Sequence, residues 1–462
     1  MAKILLVNPH SLPFFFSVEK RVTLSILYLS SYAKQFGHEV LFIDVDNDQR
    51  ILHLLGEDFL LSDYYKSHYY KKIADFNPDI IGVTVHFSGR FKPAIEFIKL
   101  FKNDFSTVPC VIGGIYPTLF PEEILGNYAD VDYILKGESE ATFVELINSI
   151  VDDTNRLKQI DGLAFRDKGK AIINEKKNFI SDVDKIPFPD YDLIDIKKYY
   201  FDTSKWYNPK NYSININLPI LTTRSCPNQC TYCSMYKVHG RGFRKRSVEN
   251  VVDEIEYLYN RFNQQYFSFT DDNLTFDKKR ILRICSEIVR RRIKIQFDTP
   301  NGLDINRLDS EVLEALVNVG LIKTCIAVES GSPKIRESIN KFIPQEKIFD
   351  VVSAIRRFPE VRFSLLFVIG FPKETLDTLN ETYLLIDKLG VHKFSMNYAV
   401  PYLGTKLFQE CYDNKLIEGD ALDFINIANF SHESEAPFIK PYELGKQDLI
   451  DFRKKIIKEL HQ

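Results

Sequence analysis

The chain has 462 residues, 45% of them hydrophobic and 27% charged, with a formal net charge of −3, the profile of an ordinary soluble chain long enough for two or three domains. That balance leaves no electrostatic footprint for nucleic acid as the main partner, and no apolar run approaches the roughly 20 residues of a membrane-spanning helix. The opening Met1-Ala-Lys-Ile-Leu-Leu-Val-Asn8 lacks a signal peptide's cleavage pattern and reads as a strand. A cytoplasmic location is therefore expected, where seven cysteines favour metal ligation over disulfides.

Residues 1–148 alternate strand and helix signals. Lys3–Val7 is an apolar run; Val22, Ile26, Leu29, Ala33 and Phe36 then recur at helical spacing and stop at Gly37. Further short apolar runs fall at Val40–Ile43, Ile80–Val85, Val111–Ile112 and Tyr133–Leu135. The pattern predicts an α/β fold that opens on a doubly wound, Rossmann-like parallel sheet, whose ligands bind beyond the carboxyl ends of the strands. The loops at those ends carry Asn8-Pro9-His10, Phe14-Phe15-Phe16, Thr84-Val85-His86, Gly113-Gly114-Ile115-Tyr116-Pro117-Thr118 and Gly137-Glu138-Ser139-Glu140.

Residues 149–215 read as a hairpin turning at Asp167–Gly169, then a linker punctuated by Pro187 and Pro189. From 216 to 405 the alternation resumes, with strands expected at Ile220–Thr223, Tyr266–Thr270, Ile293–Phe297, Thr324–Val328, Phe363–Val368 and Lys393–Asn397. Six strand–helix units suit an open, partial (β/α)6 barrel with its site at the C-terminal strand ends. Residues 406–462 form a less regular C-terminal region with an amphipathic helix at Gln447–Leu460.

The densest chemistry is Cys226-Pro-Asn-Gln-Cys230-Thr-Tyr-Cys233. Three thiolates on one loop ligate three corners of a [4Fe–4S] cubane and leave the fourth iron open. A structural zinc site is the alternative; it prefers four ligands in paired spacings, and His239 is the nearby candidate for the fourth. Cys110, Cys285, Cys325 and Cys411 sit singly among apolar residues and read as packing.

Other polar motifs follow the barrel strands. Asp271-Asp272-Asn273 comes directly after Tyr-Phe-Ser-Phe-Thr, where its groups serve either a ligand or a helix cap. Asn301-Gly302 ends the third unit's strand region. Glu329-Ser330-Gly331-Ser332 closes the fourth strand ahead of Pro333, a favoured first helical residue. Ile369-Gly370-Phe371-Pro372 follows the fifth, where glycine admits close backbone approach. Pro401 and Gly404 follow the sixth, and Arg241, Arg244 and Arg246 precede Ser247, an N-cap for a helix over Val248–Phe262.

These motifs resemble those of the radical S-adenosylmethionine (SAM) superfamily, in the group that carries a cobalamin-binding domain before the barrel. The resemblance covers roughly residues 1–410. It implies SAM chelated by the open iron and cleaved to a 5′-deoxyadenosyl radical. Cys226, Cys230 and Cys233 would be the catalytic and metal-binding set. Tyr232, Asp271, Asp272, Asn273, Arg244, Glu329, Ser330, Ile369 and Gly370 would serve SAM, while Thr84, Gly113, Gly114, Thr118 and Gly137 would serve cobalamin. Two departures stand out: the Asp-x-His-x-x-Gly loop that supplies cobalt's histidine is absent, and Tyr116 occupies a position where relatives often carry histidine. The implied activity is cobalamin-dependent methylation of an unactivated carbon. A ring closure, rearrangement or epimerisation without methyl transfer is the alternative, and a non-catalytic cobalamin or iron–sulfur sensor is the reading from another class. The implied partners are a small-molecule, lipid or peptide substrate and an electron donor such as flavodoxin or ferredoxin.

Overall fold

The computed structural model describes residues 1–10, 22–48, 61–86, 88–152, 154, 156–200, 206–212, 214, 216–417 and 436–460. Phe14-Phe15-Phe16 lie outside the described residues. The chain divides into two units, Met1–Phe201 with Lys237–Gly240, and Asp202–Tyr236 with Arg241–Gln462.

The first unit holds a seven-stranded sheet of β1 (Lys3–Asn8), β2 (Glu39–Asp44), β3 (Ile80–Thr84), β4 (Cys110–Gly113), β5 (Tyr133–Leu135), β6 (Leu163–Asp167) and β7 (Lys170–Ile173). Its order is β2-β1-β3-β4-β5-β6-β7, and β1 to β5 run parallel. Chain order reverses direction at β1. Right-handed crossovers therefore place helices on both faces, and β1 and β3 are buried nearly end to end, as doubly covered strands are. The helices Leu24–Gln35 and Glu140–Val151 pack their apolar faces with Ile4, Leu6 and Val111 in one core. The hairpin β6–β7, expected in the connecting segment, instead completes this sheet by pairing antiparallel to β5. The segment after it is tied back as well: Ser30 Oγ donates to Asp190 Oδ2 at 2.6 Å and the Tyr199 hydroxyl donates to Asp44.

The second unit contains β8 (Leu218–Ile220), β9 (Thr223–Arg224), β10 (Arg244–Lys245), β11 (Tyr266–Phe269), β12 (Gln296–Leu303), β13 (Leu321–Glu329), β14 (Arg362–Ile369) and β15 (Phe394–Tyr398). Six of these form one parallel sheet in the order β8-β11-β12-β13-β14-β15, while β9 and β10 pair separately. Because the order never reverses, right-handed crossovers put the crossover helices on one face. The opposite face is left without them, and burial alternates accordingly: Cys325, Ala327, Leu366, Ser395 and Asn397 are half-buried between buried neighbours, and Ser364 is half-buried beside buried Leu365.

Four of the crossover helices start on side-chain caps that satisfy their first amide groups. Ser247, Asp277, Asp309 and Thr375 accept from Asn250, Arg280, Val312 and Thr378. Two strand boundaries differ from expectation. The first predicted strand splits because Thr223–Arg224 turns away to pair with Arg244–Lys245. The third runs on to Leu303 through register shifts; Pro300 has no N–H for the ladder and Gly302 adopts φ +82°.

Candidate active site

The second unit gathers its chemistry at the carboxyl ends of the sheet, the end that carries the site in β/α barrels. The cysteine loop begins with Ser225 at φ +73°, a conformation that costs a non-glycine residue energy and recurs at functional sites. Hydrogen bonds from several directions hold the loop. Thr231 N donates to Ile339 O at 3.0 Å, Leu407 N to Thr231 O at 3.0 Å and Cys233 N to Cys230 O at 3.3 Å. Asn340 Nδ2 donates to Gln229 O at 3.2 Å, and Asn228 Nδ2 to Asp304 Oδ2 at 3.1 Å.

All three thiols are free and half-buried. Burial raises the pKa of each, that of Cys233 to about 11, so loading them with iron displaces protons. His239, the zinc alternative's fourth ligand, points elsewhere: its Nδ1 lies 2.8 Å from Glu138 Oε1. Among the described residues, no group of three His, Cys, Asp or Glu side chains converges as a single metal ion requires. Three soft thiols on one loop fit the corners of a cubane.

Glu329 ends β13 at φ +68°. Its Oε1 accepts the Tyr232 hydroxyl at 2.7 Å and faces Lys341 Nζ at 3.5 Å. Tyr232 also packs its ring 5.8 Å from that of Phe371. A carboxylate, an ammonium and a phenol beside the cysteine loop suit a zwitterionic amino acid group such as SAM carries. Behind β14, Gly370 (φ +88°) and Phe371 donate their amides to Glu374 Oε2 at 2.8 and 3.3 Å. The buried Glu374 carboxyl group therefore sets the shape of the Ile369–Gly370 turn. Ile369 is itself buried, and its carbonyl accepts Ala399 N at 2.8 Å.

The remaining expected residues divide between the site and the scaffold. Asn273 Nδ2 donates to Cys226 Sγ at 3.6 Å and to Asp304 Oδ2 at 3.0 Å, while Asp272 lies near enough to raise the thiol pKa of Cys226 and Cys233 further. Asp271 faces inward: Thr222 N, Thr222 Oγ1 and Thr223 Oγ1 donate to its Oδ1 at 3.0, 2.7 and 2.6 Å, which pins the approach to the cysteines. Ser330 is also turned inward, with its Oγ 3.3 Å from Thr382 Oγ1 and accepting from Ser332 N at 3.1 Å. Gly331 is required because a Cβ there would lie 2.3 Å from Thr382 Cα. Arg244 lies on β10 opposite Arg224, and Arg246 is buried in an ion pair with Glu254. Sequence reasoning missed Lys341, Asp304 and Glu374. A carboxylate four residues after Gly370 was the visible signal for the last; the other two belong to no motif.

In the first unit the strand order changes direction between β1 and β3, the crevice where doubly wound sheets bind ligands. Buried Asn8 and Thr84 lie at that end. Asn8 Nδ2 donates to Asp44 Oδ1 at 2.7 Å, Asn47 Nδ2 donates to Asp44 Oδ2 at 2.9 Å, and Arg90 bonds both Asn8 and Asp46. Burial raises the Asp44 carboxyl to about 6, against the lowering hydrogen bonds of Tyr199, Asn8 and Asn47. This network was missed, although an acidic residue ending the second strand of such a sheet is its usual signal. Neutral and paired polar groups beside the low-profile Gly113 and Thr84 fit the amide side chains of a corrin ring. Thr118 and Gly137 serve the fold itself: Thr118 Oγ1 donates to Gly114 O at 2.7 Å and accepts Gly137 N at 2.9 Å. A Cβ on Gly137 would lie 2.8 Å from Val238 O.

A barrel sheet whose crossover helices lie on one face, with three loop thiols at its strand ends and a doubly wound domain before it, defines a cluster-bearing barrel protein with a separate cofactor-type domain. The Radical SAM superfamily model matches residues 220–386, and the B12 binding domain model matches residues 20–147. An uncharacterized methyltransferase, PH0819 of Pyrococcus horikoshii, is 30% identical over 421 residues, 90% of this chain and 84% of that protein. Cytidylyl-2-hydroxyethylphosphonate methyltransferase of Streptomyces wedmorensis is 26% identical over 453 residues, 88% and 81% of the two chains. The fold is shared with the radical S-adenosylmethionine methyltransferase TsrM of Kitasatospora setae, at TM-score 0.68 and 18% identity over 90% of this chain and 75% of that one. The chain belongs to the radical SAM superfamily, in the group that carries a B12 binding domain before the barrel.

Proposed function

We propose that this protein is a cobalamin-dependent radical SAM methyltransferase that places a methyl group on an unactivated carbon. The observation that carries the reading is the presence, in one chain, of three loop thiols at the end of an open-faced barrel and of a B12 binding domain matched over residues 20–147. When bound, the cluster and SAM supply a hydrogen-abstracting carbon radical and cobalamin supplies the methyl group. The chain contributes position. Cys226, Cys230 and Cys233 hold three irons and leave one open. Glu329, set by Tyr232 and Lys341, and the Gly370 backbone hold SAM. Asn8, Thr84, Arg90 and Gly113 take the corrin.

The face opposite the crossover helices supplies the substrate's walls. Its half-buried Cys325, Ala327, Ser364 and Ser395 are short and uncharged, which leaves room for a small molecule or the reacting end of a lipid or peptide. An electron donor of the flavodoxin or ferredoxin class would supply the cluster's electron, in a cytoplasmic setting. No described helix is long and apolar enough to cross a membrane.

The test is anaerobic expression with hydroxocobalamin, quantification of iron, sulfide and corrinoid, and detection of 5′-deoxyadenosine after reduction with SAM. One cluster with near-stoichiometric corrinoid supports methyl transfer. A cluster and SAM cleavage without corrinoid moves the assignment to a ring closure or rearrangement. Both cofactors without 5′-deoxyadenosine would make the protein a sensor.

A further inference from the structure

We propose that Lys341 sets the reduction potential of the cluster, by holding a buried positive charge against the Cys230 corner. The proposal rests on the reading of Cys226, Cys230 and Cys233 as cluster ligands. The step concerned is a one-electron transfer: a low-potential donor loses one electron, the cluster gains it, and no bond or proton moves.

Three observations place the charge. The turn that carries Lys341 is fastened to both sides of Cys230, because Ile339 O accepts from Thr231 N at 3.0 Å and Asn340 Nδ2 donates to Gln229 O at 3.2 Å. Asn340 adopts φ +57°, which reverses the chain after the helix Pro333–Ser338 and turns Lys341 inward. The lysine side chain is only 13% exposed. Its Nζ lies 3.5 Å from Glu329 Oε1, whose other partner is the Tyr232 hydroxyl of the cysteine loop.

Glu329 is held from two sides, its Oε1 accepting the Tyr232 hydroxyl at 2.7 Å and standing 3.5 Å from Lys341 Nζ. The lysine's charge also acts on the thiolate corner. Three thiolates with Glu329 and Asp304 make a strongly negative surround, and each added electron makes it more so. Local net charge and hydrogen bonds to the sulfurs are the levers that set iron–sulfur potentials, and a buried cation is poorly screened. Asn273 pulls the same way more weakly, through its 3.6 Å bond to Cys226 Sγ.

The test is a mediated redox titration of the cluster-loaded full chain, read by electron paramagnetic resonance of the reduced cluster. It compares wild type with Lys341→Gln, Lys341→Met, Lys341→Arg and Asn273→Ala. SAM affinity is measured separately on the oxidised proteins. Both neutral lysine variants are expected to lower the reduced-to-oxidised ratio at fixed potential about tenfold or more, a shift of roughly 59 mV to more negative values for a one-electron couple. Lys341→Arg should stay near wild type, and Asn273→Ala should shift less in the same direction. An unchanged potential in an iron-replete neutral variant overturns the proposal, and so does lost SAM affinity at unchanged potential, which makes Lys341 a SAM-holding residue. Loss of iron from both neutral variants overturns it too, because the lysine then serves assembly. Wild-type protein without a cluster would instead defeat the functional reading itself.

Discussion

The chain contains two parallel sheets that treat their faces differently. In the first unit β3 is buried at every residue and β1 at all but its first. In the second, β13, β14 and β15 alternate buried with half-buried or exposed positions. The cause is topological: one strand order reverses and the other does not, so handed crossovers cover both faces of the first sheet and one face of the second. A sheet covered twice offers a ligand only the crevice at its strand ends. A sheet covered once also offers the length of its free face. The first unit thus suits a cofactor held at an edge, and the second suits a cofactor at the rim with a substrate beneath it.

The largest effect expected from breaking this comparison is at the cysteines. Cys226→Ala, Cys230→Ala and Cys233→Ala should each abolish the cluster's absorption near ~400 nm and SAM cleavage, since a cubane held by two thiolates is not retained. Corrinoid uptake should survive in all three, because the first unit's crevice is built from its own strands. Loss of corrinoid together with iron would show that the two sites are not independent.

A paired glycine substitution sharpens the account of the doubly covered sheet. Gly114 has φ +118°, and a Cβ there would lie 2.5 Å from Val85 O. Gly114→Ala should destabilise the unit by on the order of 3 kcal/mol. Gly113 meets no neighbour closer than 3.7 Å, so Gly113→Ala should stay within about 1 kcal/mol of wild type in urea unfolding and yet bind corrinoid more weakly. Equal corrinoid binding by wild type and Gly113→Ala would remove Gly113 from the cofactor's cradle.

On the open-faced side, Glu329→Ala is expected to weaken SAM binding about tenfold, the scale of one charged hydrogen bond, while the cluster still assembles. Calorimetry with the oxidised protein checks it, and unchanged affinity would take Glu329 out of the SAM site.

Most of this was legible because chemistry sits at strand ends, and strand ends are visible as apolar runs followed by polar motifs. Cys226–Cys233, Glu329 and Gly370 were found that way. What the pattern does not encode is the direction of a side chain within its loop. Asp271 and Ser330 belong to the right loops but turn inward, to Thr222–Thr223 and to Thr382. Lys341 and Asp304 were invisible for the opposite reason: they follow no motif and reach the site by the turn at Asn340 and the late end of β12. The hairpin β6–β7 was seen, but its partner strand was not, because pairing across 28 residues, as in Leu135 with Leu163, leaves no periodic trace.

A further expected effect concerns the turn after β14 and is one of pH. Glu374 is fully buried, and burial raises its carboxyl to about 8 against the lowering influence of the Gly370 and Phe371 amides. In the unfolded chain the same group titrates near the ordinary glutamate value of about 4.3. Between those values the folded state holds a proton that the unfolded state has lost, so stability falls as pH rises through that window. Glu374→Gln keeps an oxygen for the two amides and removes the titration. Relative to the wild type, the variant should therefore gain stability progressively from about pH 5 to pH 8, by on the order of a few kcal/mol at the top of the range. Urea unfolding of both proteins at half-unit pH steps checks this. Parallel pH curves would mean that Glu374 stays ionised on its two amides, and that the turn is held by a buried charge.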